Sequence, residues 1–149
     1  MTDSPQILAD SAPAILNAHV VVRFFTEVLA TGDAARAAAL LAGDFVDHDA
    51  DPGSPADAEG VIRKLAALWQ AFPDGRFALE SVIAAGDRVA ARSTFTGTQR
   101  GYFGPLPPTG RSVSVSFSDW YRIADGRIAE HWHDFDEAGL MRQLGANRQ

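Results

Sequence analysis

The sequence predicts an α+β fold, with helices packed on a curved antiparallel sheet. Three observations predict it. Apolar residues in the first half recur at the three-to-four-residue spacing of a helix. After Pro73 they alternate with the two-residue spacing of a strand. The strand-like runs are mostly separated by Gly-Asp or Asp-Gly pairs, the chemistry of tight hairpins. Helices segregated in sequence from an antiparallel sheet define the class.

The elements follow in order. Residues 1–12 are expected to be a flexible N-terminal tail, with a single domain over 13–149. From Pro13, "PAILNAHVVVRFFTEVLATGD" sets Leu16, Val20, Phe24 and Val28 at helical spacing, with Val21 and Phe25 beside them. Gly32 ends this helix. Asp33 can cap a second, "DAARAAALLAG", closed by Gly43. "DFVDHD" is short and extended, and "DADPGSP" is a loop. Asp57 can cap a third helix, "AEGVIRKLAALWQAF", which stops before Pro73.

Four strand-like runs come next: "RFALESVIAAGD", "RVAARSTFTGTQ", "RSVSVSFSDWYRIADG" and "RIAEHWHDF". The third sorts its faces most clearly. Val113, Val115, Phe117, Asp119, Tyr121 and Ile123 lie on one side, and four serines with Trp120 and Arg122 on the other. Between the second and third runs, "GYFGPLPPTG" is either a pocket rim or a stiff connection. Asp136 can cap a last short helix, "EAGLMRQLG". A curved sheet wrapped over helices leaves a cavity between them.

Composition narrows the function. The chain has 149 residues, a net charge of −6 and no cysteine. The acidic balance argues against nucleic-acid or anionic-membrane partners, which need clustered Lys and Arg. Disulfides, thiolate metal sites and catalytic thiols are excluded. The N-terminus has no basic segment followed by a long apolar run, and no apolar run approaches the ~18 residues of a membrane span. A cytoplasmic enzyme or binding protein is expected. Phosphate-loop, nucleophile-elbow and zinc-protease motifs are missing. "DHDADPG" opens like a calcium loop, but Pro52 stands where that loop needs Gly and Ala58 where it needs a bidentate Glu.

The order of elements and several words of the sequence resemble one family. They are "FVDHD" (45–49), "AFPD" (71–74), "GDRVAARSTFTGT" (86–98), "GPLPPTGRSVSV" (104–115), "YRIADGRIAEHW" (121–132) and "LMRQLG" (140–145). Together they resemble the SnoaL-like polyketide cyclases, over nearly the whole chain after the tail. The resemblance implies the NTF2-like cone-shaped α+β barrel shared with ketosteroid isomerase. It also implies cofactor-free acid–base chemistry, in which an acid removes a proton from a carbon flanked by carbonyls and an aldol step closes a ring. The implied partner is a hydrophobic, carbonyl-bearing, polyketide-like substrate, and the implied assembly a homodimer or higher homo-oligomer through the outer sheet face. Alternatives are a non-catalytic small-molecule-binding or interaction protein, or a related dehydratase or hydrolase. An epoxide hydrolase needs a carboxylate–Arg–carboxylate set, for which the sequence offers Arg92 without placing it inside.

The candidate site depends on one turn. If "IADGRI" makes a two-residue Asp-Gly turn, Ile123 pairs with Ile128, and Asp119 shares its face with Glu130, Trp132, Asp134 and Asp136. If Gly126 closes a three-residue turn with a bulge, Ile123 pairs with Arg127, and Asp119 shares its face with Ala129, His131, His133 and Phe135. The second reading is preferred. The first would bury up to three more carboxyls on an apolar face, at roughly 2 kcal/mol or more for each uncompensated group. In ketosteroid isomerase the Asp matching Asp119 faces the cavity, which agrees.

Asp119 and His133 are therefore the catalytic candidates. Asp119 lies amid Val, Phe and Tyr, poised for acid–base work, or is a structural carboxylate bonded to a neighbour. His133, diagonal to it, can pass a proton. The resemblance places a His on the penultimate strand and the acid on the last, so the two types stand exchanged here. Asp136 and Asp134 are the alternative acids, Asp136 also being a helix cap. Substrate-binding candidates are His48, His131, Phe25, Trp69, Phe72, Phe103 and Phe135, with Phe24 as a further wall residue. Each aromatic has an equally simple role as core. His19 reads as a helix-surface residue. His131, His133 and Asp119 match a two-His-one-carboxylate metal set, but no metal is expected.

Overall fold

The computed structural model describes residues 4–146. Its elements are β1 (Gln6–Ala9), α1 (Ala12–Phe24), α2 (Ala34–Leu40), β2 (Leu41–Asp47), α3 (Ala58–Ala71), β3 (Arg76–Ala85), β4 (Arg88–Thr98), β5 (Ser112–Ala124), β6 (Arg127–Phe135) and α4 (Glu137–Gln143). The strands form one mixed sheet in the order β1-β3-β4-β5-β6-β2. The four long strands are antiparallel, as expected. The two edges are not: β1 runs parallel to β3 and β2 parallel to β6.

Both edge strands correct the sequence reading. Gln6–Ala9 pair residue by residue with Ser81–Ala84, so this part of the expected tail is a strand. Residues 1–3 of that tail and 147–149 at the other end lie outside the described residues. The second helix stops at Leu40 rather than Gly43, because Leu41 turns extended and begins β2. A four-residue strand, or one that starts inside an alanine-rich helical run, carries too little alternation to be read alone.

The caps were legible. Asp33 accepts from the amides of Ala35 and Arg36, Asp57 from Gly60, and Asp136 from Gly139. α1 continues into a widened π turn, Phe25–Leu29. That turn lets Phe24, Phe25 and Val28 all go inward with Ala14, Ala18 and Val21, whereas Leu16 is 68% exposed. With this turn the helix spans Ala12–Leu29, long and apolar enough by length and composition alone to cross a membrane, although Asn17, His19, Arg23 and Glu27 interrupt its apolar residues. Its buried side packs on the sheet in the main core with Val82, Val89, Tyr121 and Ile128. A second core joins Phe72, Phe95, Val113 and Val115 to Leu140 of α4 and Leu144 at its C-cap.

The loop between β4 and β5 is a stiff connection. Buried Gln99 donates to the carbonyls of Gly101, Leu106 and Pro107 and accepts from Thr109.

The β5–β6 hairpin settles the face question by a route the sequence reading did not combine. The turn has two residues: Asp125 and Gly126 both have positive φ, and Ala124 pairs with Arg127. Ile123 pairs with Ile128, so the preferred three-residue turn is wrong. A bulge then takes up Ala129, and Arg122 pairs with Glu130. From there Tyr121 faces His131 and Asp119 faces His133, on the face expected from the other turn.

Candidate active site

Four strands bring the site together on the inner face of the sheet. β5 supplies Asp119 and Tyr121, β6 supplies His131 and His133, β4 lines Ala91 and Ser93 alongside, and β2 contributes Asp47. Asp119 and Asp47 are both buried, at 8% and 6% exposure.

His131 bridges the two acids. Its Nε2 lies 2.7 Å from Asp119 Oδ1 and its Nδ1 3.3 Å from Asp47 Oδ1. Burial alone would lower the imidazole pKa. The hydrogen bonds to Asp119 and then Asp47 outweigh burial and push it up to about 9. His131 is therefore a cation at neutral pH. Burial tends to raise Asp47, but the bond and charge of His131, with the Asp49 amide, hold it below the ordinary carboxylate range. Tyr121 stacks on His131 at 4.9 Å, and burial, reinforced by the two acids, lifts its phenol well above the usual value.

His133 stands directly opposite Asp119, not diagonal to it, and has the reverse electrostatics. Burial and then the charge of His131, 5.4 Å away ring to ring, lower its pKa. It sits neutral. Phe117 meets it edge-on at 6.2 Å and Phe135 lies 5.6 Å off, while its backbone N–H donates to Asp49 Oδ2. Among the described residues, no side chain bonds Asp119 Oδ2. The set thus holds a fixed cation between two carboxylates, with one free carboxylate oxygen and one neutral imidazole on a shared face.

Asp47 is the residue the sequence reading missed. The signal was the alternation of buried Phe45 and Asp47 in "FVDHD". Using it requires knowing that β2 lies beside β6, with Asp47 opposite His131.

The same alternation sends His48 outward, which corrects its placement beside the cavity. It stacks on Trp132 at 4.6 Å and bonds Glu130 Oε1 at 2.9 Å on the outer face, where Arg122 also holds Glu130. Asp134 is exposed opposite outward Ser118, and Asp136 caps α4, so neither alternative acid joins the site. Arg92 pairs with Ser118 on the outer face as well. His19 is on the surface, as read.

The aromatic candidates divide. Phe25 and Trp69 each meet Phe77 edge-on at 6.3 Å, Phe77 lies 6.1 Å from Phe117, and Phe135 stacks on Phe117 at 4.9 Å. These rings run continuously to His133. Phe24 meets Tyr121 at 6.3 Å. Phe72 and Phe103 pack together at 5.7 Å in the second core.

Asp119, His131 and His133 each offer a ligand atom, all within 4.8 Å of one another, a set that could hold a metal ion. Both ring nitrogens of His131 are already engaged, Nε2 with Asp119 and Nδ1 with Asp47. Two surface depressions, of about 270 and 490 Å³, are lined by Arg88, Trp120, Tyr121 and Trp132, and by Gly43, Arg122 and neighbours. Neither includes Asp119, His131 or His133.

Solved structures similar to this chain share its fold. A Bacillus cereus protein named as a candidate polyketide cyclase is 26% identical, with TM-score 0.84 over 99% of this chain and 95% of its own. A candidate SnoaL-like polyketide cyclase from Jannaschia sp. CCS1 is 27% identical, with TM-score 0.79 over 93% and 99%. IdmH from Streptomyces antibioticus, named as a candidate polyketide cyclase, is 31% identical, with TM-score 0.76 over 87% and 98%. No protein of curated description matches. The SnoaL-like polyketide cyclase profile matches residues 19–144, and the chain belongs to that family.

Proposed function

We propose that the protein is a cytoplasmic cyclase or isomerase that works by acid–base catalysis on its own side chains, without a cofactor, on a hydrophobic, carbonyl-bearing, polyketide-like molecule. One observation carries this reading: a buried cationic His131 held between Asp47 and Asp119, with neutral His133 beside it. Asp119 takes a proton from a carbon flanked by carbonyls. The charge of His131 favours the enolate that forms. The enolate carbon attacks a second carbonyl of the same molecule, and His133 relays the proton from Asp119 to the resulting alkoxide. Phe117 and Phe135 flank the reacting groups and keep water away.

A non-catalytic role as a module that binds other proteins, on the same fold, is the second reading. The rings closing the inner face, and the position of both depressions away from Asp119, favour it.

Incubation with a panel of polyketide methyl esters, read by chromatography and mass spectrometry, decides between them. Ring closure by the wild type, reduced about 100-fold or more in Asp119→Asn, is the expected result. Closure that survives the substitution removes Asp119 from the mechanism, and no closure by either protein favours the binding reading.

A further inference from the structure

Among the described residues, two buried side-chain donors have no partner: Ser93 Oγ and Trp69 Nε1. Ser93 has no exposure at all. It lies on the inner face of β4, opposite Phe117 and one diagonal from Asp119, which faces Ala91. Diagonal neighbours on a sheet are about 7 Å apart. Trp69 packs on Phe77 and Phe95 from α3, at 6.3 Å each, with its Nε1 edge turned to Gly32 rather than to Ser93. An orphaned buried donor is costly, and native interiors satisfy nearly all of them. Packing does not explain a serine here, since alanine fills almost the same space without the hydroxyl. Phenylalanine would likewise keep most of the Trp69 ring contacts without the N–H.

We propose that Ser93 Oγ is an oxygen-binding subsite, and that the ligand is a planar ring molecule carrying a hydroxyl or carbonyl oxygen remote from the carbon that faces Asp119. This rests on reading the aromatic interior as a ligand chamber, but not on ring closure. The ligand's flat faces replace ring–ring contacts among Phe77, Phe95 and Phe117, and its oxygen takes the bond that Ser93 lacks. Because Ser93 is fully enclosed, the rings part as the ligand enters. The donor is thus a stability cost in the free protein and a gain in the complex.

The test uses 2-naphthol and naphthalene as probes, with equilibrium binding to wild type, Ser93→Ala and Trp69→Phe and thermal melts of each free protein. Wild type is expected to bind 2-naphthol on the order of 10-fold more tightly than naphthalene. Ser93→Ala should bring the two affinities to within about twofold while raising the Tm of the free protein. Trp69→Phe, which removes the orphaned donor beside Gly32, should fold and keep the preference. Equal wild-type affinities, no saturable binding of 2-naphthol, or an unchanged preference in Ser93→Ala each overturn the subsite. A naphthol preference that depends on Ser93, found without ring closure on any ester, keeps the subsite and removes the cyclase reading. Ring closure with no effect of Ser93 does the reverse.

Discussion

His131 holds its charge through two neighbours rather than one. Asp119 at 2.7 Å and Asp47 at 3.3 Å turn a burial that would neutralise the imidazole into one that charges it. The consequence for stability follows by linkage. The folded pKa of about 9 lies above the ordinary 6.5, so this contribution is fully present below about pH 6.5. It is lost as pH rises through about 9. Its size is on the order of 3 kcal/mol. Asp47 acts oppositely, its contribution fading only as pH falls through its lowered value. Urea denaturation at pH 6 and pH 9.5 is expected to show a loss of that order at the higher pH. Equal stabilities would mean that His131 is not held as a cation. The strand alternation made Asp119, His131 and His133 legible as a group. Asp47 was not, because its partner lies 84 residues away on a parallel strand. His48 was misplaced for the same reason.

At the scale of elements, the β5–β6 hairpin decides which side chains meet. The turn residues Asp125 and Gly126, at φ 51° and 74°, fit a two-residue turn, and the bulge at Ala129 turns the histidines inward. The sequence contained both devices. What it could not supply was their combination, since a turn and a bulge give the same face count by different routes. The two routes differ at Asp125, which has positive φ only in the observed turn. Asp125→Val is therefore expected to cost about 1–2 kcal/mol in chemical denaturation, with Asp125→Gly near neutral. A neutral valine would point to the three-residue turn. Helices were easier to read, because Asp33, Asp57 and Asp136 cap locally. The edge strands β1 and β2 were hard, because their pairing is entirely non-local.

The whole molecule has an outer sheet face that, among the described residues, no element covers at its centre. One register row crosses it: Leu8, Ile83, Ala90, Trp120 and Trp132. Leu8, Ile83 and Trp120 are each about half exposed. The next row carries Arg92 at β4 and Asp134 at β6, so a two-fold contact can set each against the other in a second copy. We propose a homodimer through this face, and Trp120→Ser is expected to shift the sedimenting species from dimer to monomer. A monomeric wild type at tens of micromolar would remove it.

The buried carboxylate–imidazolium–carboxylate chain can be tested without a substrate, by histidine side-chain ¹⁵N spectra recorded across pH. In the wild type, His131 is expected to stay doubly protonated until about pH 9, while His133 is neutral at pH 7. Asp47→Asn should lower the His131 midpoint and leave the fold intact. A His131 that titrates near its ordinary 6.5, unaffected by Asp47→Asn, would contradict the account.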